Sequence, residues 1–259
     1  MSLLEISGLT KRYRSVQAVE DVGLTVGEGE VVGLVGESGS GKSTVLRCVL
    51  KLVRPDSGSI SFAGKDVLRM RGAAARAYRQ DVQMVFQDPL GSLNPRMTVE
   101  QLVGEGLVVH RRLPDARARR DRVVELLGMV GLRPADLGRF PSSFSGGQLQ
   151  RIAIARALAV GPRLLVCDEV VSALDVSVQA QVLNLLLDMR DELGLSILFV
   201  SHDLAVVNYL CTRVAVLRSG RIVEEGTREQ VFGHPRHEYS RELLAAVPDP
   251  ERVLSARSH

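Results

Sequence analysis

The sequence has no run of apolar residues approaching the ~18 that a membrane-spanning helix needs, so any membrane role requires other subunits. The stretch up to Tyr13 holds no apolar core long enough for a secretory signal. Cysteine is sparse. Cys48, Cys167 and Cys211 lie far apart and form no C-x-x-C pair, so neither a zinc site nor a disulfide framework is suggested, and a reducing cytoplasm suits the chain. Charge of one sign is not in excess either: 33 basic and 30 acidic residues leave +3 with histidine neutral, too little to argue for a nucleic-acid partner. Lysine occurs only as Lys11, Lys42, Lys51 and Lys65, which makes a lysine inside a motif conspicuous.

What remains is an ordinary globular composition. The 259 residues are 45% hydrophobic and 24% charged, which excludes a disordered or fibrous chain and allows one large domain or two small ones. Strand patterns begin early. Leu4 to Ile6 alternates, and Val22, Leu24 and Val26 recur with period two. Residues 30–35 form a buried-strand run that leads into a glycine-rich loop, with a helix expected over 44–52. Short strands are expected at 59–62, 82–86, 164–167, 196–200 and 214–217, the last turning at Ser219-Gly220 into 221–224. Residues 98–160 read as mainly helical, with Val123, Val124, Leu126 and Leu127 on an apolar face. A second helical stripe runs through Val178, Val182, Leu185, Leu186, Met189 and Leu193. Strands and helices alternating around a helical middle indicate an α/β chain with an inserted helical subdomain.

The loop is Gly36-Glu37-Ser38-Gly39-Ser40-Gly41-Lys42-Ser43, followed by Thr44. It fits G-x-x-x-x-G-K-[ST], in which backbone N–H groups converge on phosphate and the following helix adds its positive end. The glycines let the backbone approach the phosphates without a Cβ in the way. Lys42 would reach the β- and γ-phosphates and Ser43 would ligate Mg²⁺. Asp168 and Glu169 close a run of four apolar residues. There Asp168 would stand near the metal and Glu169 would polarise a water, although taken alone the pair is better described as a strand capped by solvated acids. Ser145-Gly146-Gly147-Gln148 is a second anion site at a helix start or, taken alone, a glycine-rich N-cap.

Together these motifs resemble the ATP-binding cassette ATPases, in that family's order, over residues 1–233. The resemblance implies a P-loop (RecA-like) core with an antiparallel β subdomain at 1–87 and 161–233, a helical subdomain carrying the signature at 88–160, and a tail at 234–259, all in one domain. Tyr13 takes the place of the aromatic that stacks on adenine, residues 36–43 that of the Walker A loop, and Gln87 that of the Q-loop residue beside the metal. Ser145 to Gln148 match the signature, Asp168 and Glu169 Walker B, Ser172 to Asp175 the D-loop and His202 the switch histidine. The family's working unit sandwiches two ATP molecules with Mg²⁺ between two cassettes, so Lys42 and Ser145 of one chain would serve different nucleotides.

Residues 87–95, 175–181 and 234–248 further resemble the peptide/nickel importer branch. That branch implies two membrane permease subunits, a second ATPase subunit in a homo- or heterodimer, and an extracytoplasmic solute-binding protein acting indirectly. It places the chain at the cytoplasmic face of the membrane with no nucleic-acid role, the basic residues of 111–120 forming a solvated face. Peptides are the expected solute. Leu149 and Val170, in place of the usual arginine and proline, leave nickel as the alternative. No iron–sulfur cluster is expected, because no Cys-bearing extension follows the tail motif. His234 and His237, with Pro235 between them, read as structural. A chromosome-maintenance ATPase would place a long coiled coil between Walker A and the signature, and the 102 positions from Ser43 to Ser145 contain no sustained heptads. A non-transport cassette serving a soluble complex is the other alternative.

Overall fold

The structure, a computed structural model, describes residues 2–245. Met1 and the last part of the expected tail, residues 246–259, lie outside the described residues. From the start the chain forms β1 (Ser2–Tyr13), β2 (Val16–Gly27), β3 (Val31–Val35), α1 (Lys42–Val49), β4 (Ser57–Phe62), β5 (Lys65–Asp66), α2 (Gly72–Asp81) and β6 (Val82–Val85). Helices follow as α3 (Pro89–Ser92), α4 (Val99–Val109), α5 (Ala116–Met129) and α6 (Gly146–Leu158). Then come β7 (Leu164–Asp168), α7 (Val176–Leu193), β8 (Ser196–Ser201), α8 (Leu204–Leu210), β9 (Arg213–Arg218), β10 (Arg221–Thr227), α9 (Arg228–Gly233) and α10 (Glu238–Ala245).

Two sheets result. The antiparallel one is ordered β2-β1-β4-β5 and the larger β10-β9-β3-β8-β7-β6. In the larger sheet β9, β3, β8, β7 and β6 run parallel and only the edge strand β10 is antiparallel. Its inner strands are covered on both faces, so they read as continuous apolar runs. Successive side chains alternate between two cores. Val32, Leu34, Val166, Leu198, Val200, Ala215 and Leu217 face the antiparallel sheet and α1. Val31, Val35, Leu165, Cys167, Ile197, Phe199 and Val216 face the helices. This is a P-loop NTPase core with an antiparallel sheet on one face and a helical body on the other.

Capping explains where the helical body starts and stops. Thr98 and Gln101 form a reciprocal capping box before α4, Asp115 accepts from the Ala118 N–H before α5, and Ser145 and Gln148 form a second box before α6. The stripe on α7 buries Val182, Leu185, Leu186 and Met189. Leu193 is 45% exposed, because the helix ends at the left-handed Gly194. The helix expected over 44–52 is shorter at its end, since the chain leaves it at Leu50 and turns through Lys51 with φ 56°. In the basic stretch Arg120 pairs with Glu100 at 2.6 Å and Arg119 donates to the carbonyls of Leu113 and Pro114. No helix among the described residues is long and apolar enough to cross a membrane.

Candidate active site

Strands β3, β8, β7 and β6 are neighbours and run the same way, so their C-terminal ends share one edge, where ligands of open α/β sheets bind. Each end delivers a residue the sequence singles out. β3 runs into Gly36, β8 is followed by His202, β7 ends on Asp168 with Glu169 next, and β6 leads to Gln87. The pairings Val35 with Ser201, Asp168 with Val200 and Val85 with Cys167 hold these ends level.

The glycine loop is shaped by close backbone approach. Gly36 has φ 152° and Gly41 φ 111°. A Cβ on Gly36 would lie 2.1 Å from the Leu217 carbonyl oxygen, and one on Gly41 2.4 Å from that of Ala18. Neither backbone oxygen can step aside, so both positions require glycine. The N–H groups of Gly39, Gly41, Lys42 and Ser43 donate to nothing else among the described residues, and no side chain caps α1. The buried Ser40 Oγ likewise has no partner. Lys42 Nζ donates to the carbonyls of Gly36 at 2.6 Å and Glu37 at 2.8 Å. Burial lowers its pKa, and the carboxylates of Glu169, Asp168 and Glu37 oppose that shift. Ser43, Glu37 and Ser38 are exposed at the rim, and Thr44 is buried beneath.

Across from the loop, the Asp168 carboxyl sits above the ordinary range. Burial and the neighbouring Glu169 push it up, while Lys42 and Arg47 pull it down. Glu169 is held in the left-handed region at φ 49°, a conformation that costs a non-glycine residue about 1–3 kcal/mol. Its N–H is fixed by the Val200 carbonyl at 2.8 Å and its C=O by the Ser172 hydroxyl at 3.0 Å. His202 Nδ1 lies 3.0 Å from Glu169 Oε1. Gln87 Nε2 donates to Ser172 Oγ at 3.4 Å, which links the β6 end to the β7 end. A cleft of about 590 Å³ opens here, lined by Phe86, Gln87, Asp88, Gly91, Ser92 and Asp168.

Other predicted residues stand apart from this cluster. Ser145, Gly146, Gly147 and Gln148 open α6 against the 174–178 segment, where a Cβ on Gly147 would lie 2.3 Å from Val178 Cγ1. Asp175 precedes α7, exposed and without a side-chain cap bond. Among the described residues no hydrogen bond joins either group to the glycine loop or to Asp168 and Glu169. Tyr13, 39% exposed, ends β1 with Lys11 Nζ 5.6 Å from its ring centre, on the hairpin whose Ala18 leans on Gly41. Two contacts escaped the sequence reading. The Ser172 hydroxyl bridging Gln87 and Glu169 belongs to the residue that opens the D-loop match, which did not announce this bond. Tyr239, whose hydroxyl accepts from the Glu37 N–H at 3.1 Å, lies in the 234–248 match, which gave no hint of this contact. His237 uses Nδ1 to accept the Tyr239 N–H.

These groups suit a nucleoside triphosphate with a hard divalent cation. Unpaired N–H donors, an unpartnered buried hydroxyl and an ammonium match phosphate oxygens. The Ser43 hydroxyl, the Gln87 amide oxygen and the Asp168 carboxylate are the oxygen donors Mg²⁺ prefers.

The profile of the family described as "ABC transporter" matches residues 19–172. The oligopeptide transport ATP-binding protein OppD of Mycobacterium bovis is 51% identical over 94% of this chain and 39% of its own length. Against that relative the chain spans about two fifths of the length. OppF of Streptococcus mutans, also described as an oligopeptide transport ATP-binding protein, is 49% identical over 94% of this chain and 79% of its own. Among solved structures, an ATP-binding cassette dimer in a post-hydrolysis state with ADP and Pi superposes with TM-score 0.78 at 30% identity, covering 87% of this chain and 98% of its own.

Proposed function

This chain belongs to the ABC transporter family, and we propose that it is the ATP-hydrolysing subunit of an importer that takes up short peptides. The observation that carries the reading is the convergence of the glycine loop, Gln87, Asp168–Glu169 and His202 on one edge of four adjacent parallel strands. The peptide assignment rests on relatives described as oligopeptide and dipeptide transport ATP-binding proteins. The Leu149 and Val170 departures do not outweigh that likeness, so nickel is not favoured. Residues 2–87 and 161–233 serve as the nucleotide-binding core with its antiparallel sheet, and 88–160 as the body that meets the permeases from the cytoplasmic side.

The N–H groups of Gly39, Gly41, Lys42 and Ser43 take the phosphates of ATP, and Lys42 leaves the Gly36 and Glu37 carbonyls to reach the β- and γ-oxygens. Tyr13 offers its ring to the adenine. Ser43, Gln87 and Asp168 would hold Mg²⁺, which would supply charge neutralisation to the triphosphate. Glu169, oriented by His202, accepts a proton from a water whose oxygen bonds to the γ-phosphorus, as the bond to the β-bridging oxygen breaks and ADP leaves. Ser145 to Gln148 and Asp175, which share no hydrogen bond with the loop of their own chain among the described residues, act on nucleotide held by a second cassette. ATP therefore favours the closed pair, and hydrolysis releases it.

Reconstituting the chain with its permeases, partner cassette and solute-binding protein tests the function. Short peptides should stimulate ATP turnover and Ni²⁺ should not; stimulation by Ni²⁺ alone would overturn the peptide assignment. Ser145→Arg probes the sandwich. It should leave ATP affinity of the isolated chain within about twofold, because the position lies off the loop, yet abolish ATP-driven dimerisation in light scattering. Loss of ATP binding by the monomer would place both sites in one subunit.

A further inference from the structure

We propose that Tyr239, in the C-terminal segment, is a positioning residue for the phosphate loop. The proposal rests on the nucleotide role of that loop and adds a device that maintains its shape. The peptide unit joining Gly36 to Glu37 is gripped from both ends. Its carbonyl, Gly36 O, accepts Lys42 Nζ at 2.6 Å, and its N–H, on Glu37, donates to the Tyr239 hydroxyl at 3.1 Å. That peptide follows a glycine in the left-handed half of conformational space, so little else in the local chain prevents it from rotating. When Lys42 turns toward phosphate it abandons the carbonyl, and the tyrosine hydroxyl then keeps its hold on the peptide.

The tyrosine is built to stay where it is. It is 2% exposed, and the Arg218 guanidinium lies 4.5 Å from its ring centre, a cation–π contact. The turn ahead of α10 is tied to the sheet by Glu224, whose two carboxylate oxygens accept the N–H groups of Arg236 and His237 at 2.8 and 3.1 Å. His237 Nδ1 accepts the Tyr239 N–H at 3.1 Å. Behind it Leu243 and Leu244 pack on the helical-side core. Arg218 ends β9, one residue after the Leu217 whose carbonyl crowds Gly36. The same strand end thus shapes the loop from below and steadies the tyrosine that holds it from the side. Glu37 and Tyr239 lie 202 positions apart in the chain.

The test uses the full-length chain with Tyr239→Phe, which removes the hydroxyl and keeps the ring against Arg218. Calorimetry with ATP and Mg²⁺ should read a five- to tenfold weaker Kd, the weight of one hydrogen bond. The nucleotide-free Tm should fall by no more than about 5 °C, because the same bond is lost there. In nucleotide-free protein, amide hydrogen exchange should speed up at Glu37 and leave the β3 amides unchanged. Leu243→Ala, which loosens packing and leaves the hydroxyl, should lower Tm without weakening ATP binding more than about twofold. Wild-type Kd and wild-type Glu37 exchange in Tyr239→Phe would overturn the proposal. So would a Leu243→Ala Kd as weak as that of Tyr239→Phe, since general packing would then explain the effect. If the wild-type chain failed to bind ATP, the nucleotide reading would fall, and the exchange of the Glu37 amide would still decide whether the tyrosine holds the loop.

Discussion

Glu169→Gln is expected to cut ATP turnover by about 10²–10⁴-fold, the range a positioned general base contributes, while ATP affinity stays near wild type. The two side chains are nearly isosteric, so the unusual backbone at Glu169, pinned by Val200 and Ser172, has no reason to move. What changes is the oxygen that lies 3.0 Å from His202 Nδ1. An amide cannot accept the water's proton, and the imidazole no longer faces a carboxylate. Phosphate binding is left alone because it depends on the loop N–H groups and Lys42. The variant should therefore accumulate as an ATP-loaded closed pair, seen as a stable dimer in size-exclusion chromatography with ATP and Mg²⁺. Removing Glu169 also takes away one of the charges that push the Asp168 carboxyl up, which favours the ionised, metal-ready form of Asp168. Turnover at the wild-type rate in the assembled transporter would remove Glu169 from the catalytic role and leave it as a structural acid.

The phosphate loop was legible because its chemistry is local. Gly36, Gly39, Gly41 and Lys42 lie within seven residues, between a strand and a helix that each carry their own hydropathy signal. The same holds for β7 and β8, where four apolar residues end on a polar group. The β-hairpin turn at Ser219-Gly220 was legible too, since both residues adopt positive φ, 47° and 83°. Other elements could not be read locally. α2 is arginine- and alanine-rich with only Ala75 and Tyr78 buried, so it presents no stripe for a periodicity argument. β1 runs twelve residues, and repeated register shifts against β2 blur its alternation. The contacts that fasten the site together, Gln87 to Ser172 and Glu37 to Tyr239, join residues 85 and 202 positions apart. They exist only because neighbouring strands bring those ends level, and sheet order is the part of the fold that a one-dimensional pattern carries least.

Lys42→Ala should abolish nucleotide-dependent stabilisation. A ligand present at a hundred times its Kd raises folding stability by about 2.7 kcal/mol, which in a domain of this size moves Tm by about 5–10 °C. Without the ammonium, the variant should show no shift at the same ATP concentration in a thermal melt. The nucleotide-free protein offers a second readout, in its pH dependence. The folded Asp168 carboxyl lies above its unfolded value of 3.8, and Lys42 is among the groups holding it down. Because the folded state binds that proton more tightly, the stability it contributes is fully present below the unfolded value and is lost as pH rises through the folded one. Removing Lys42 lifts the folded value further, so the loss extends to higher pH. The alanine variant also relieves the burial cost of the Lys42 charge, the larger cause of that lysine's lowered pKa. The Tm of Lys42→Ala relative to wild type should consequently fall as pH rises past the wild-type folded value of Asp168 toward the higher folded value of the variant. A difference that stayed flat over this range would show that the lysine and Asp168 do not sense each other, and the cluster at the strand ends would lose its electrostatic basis.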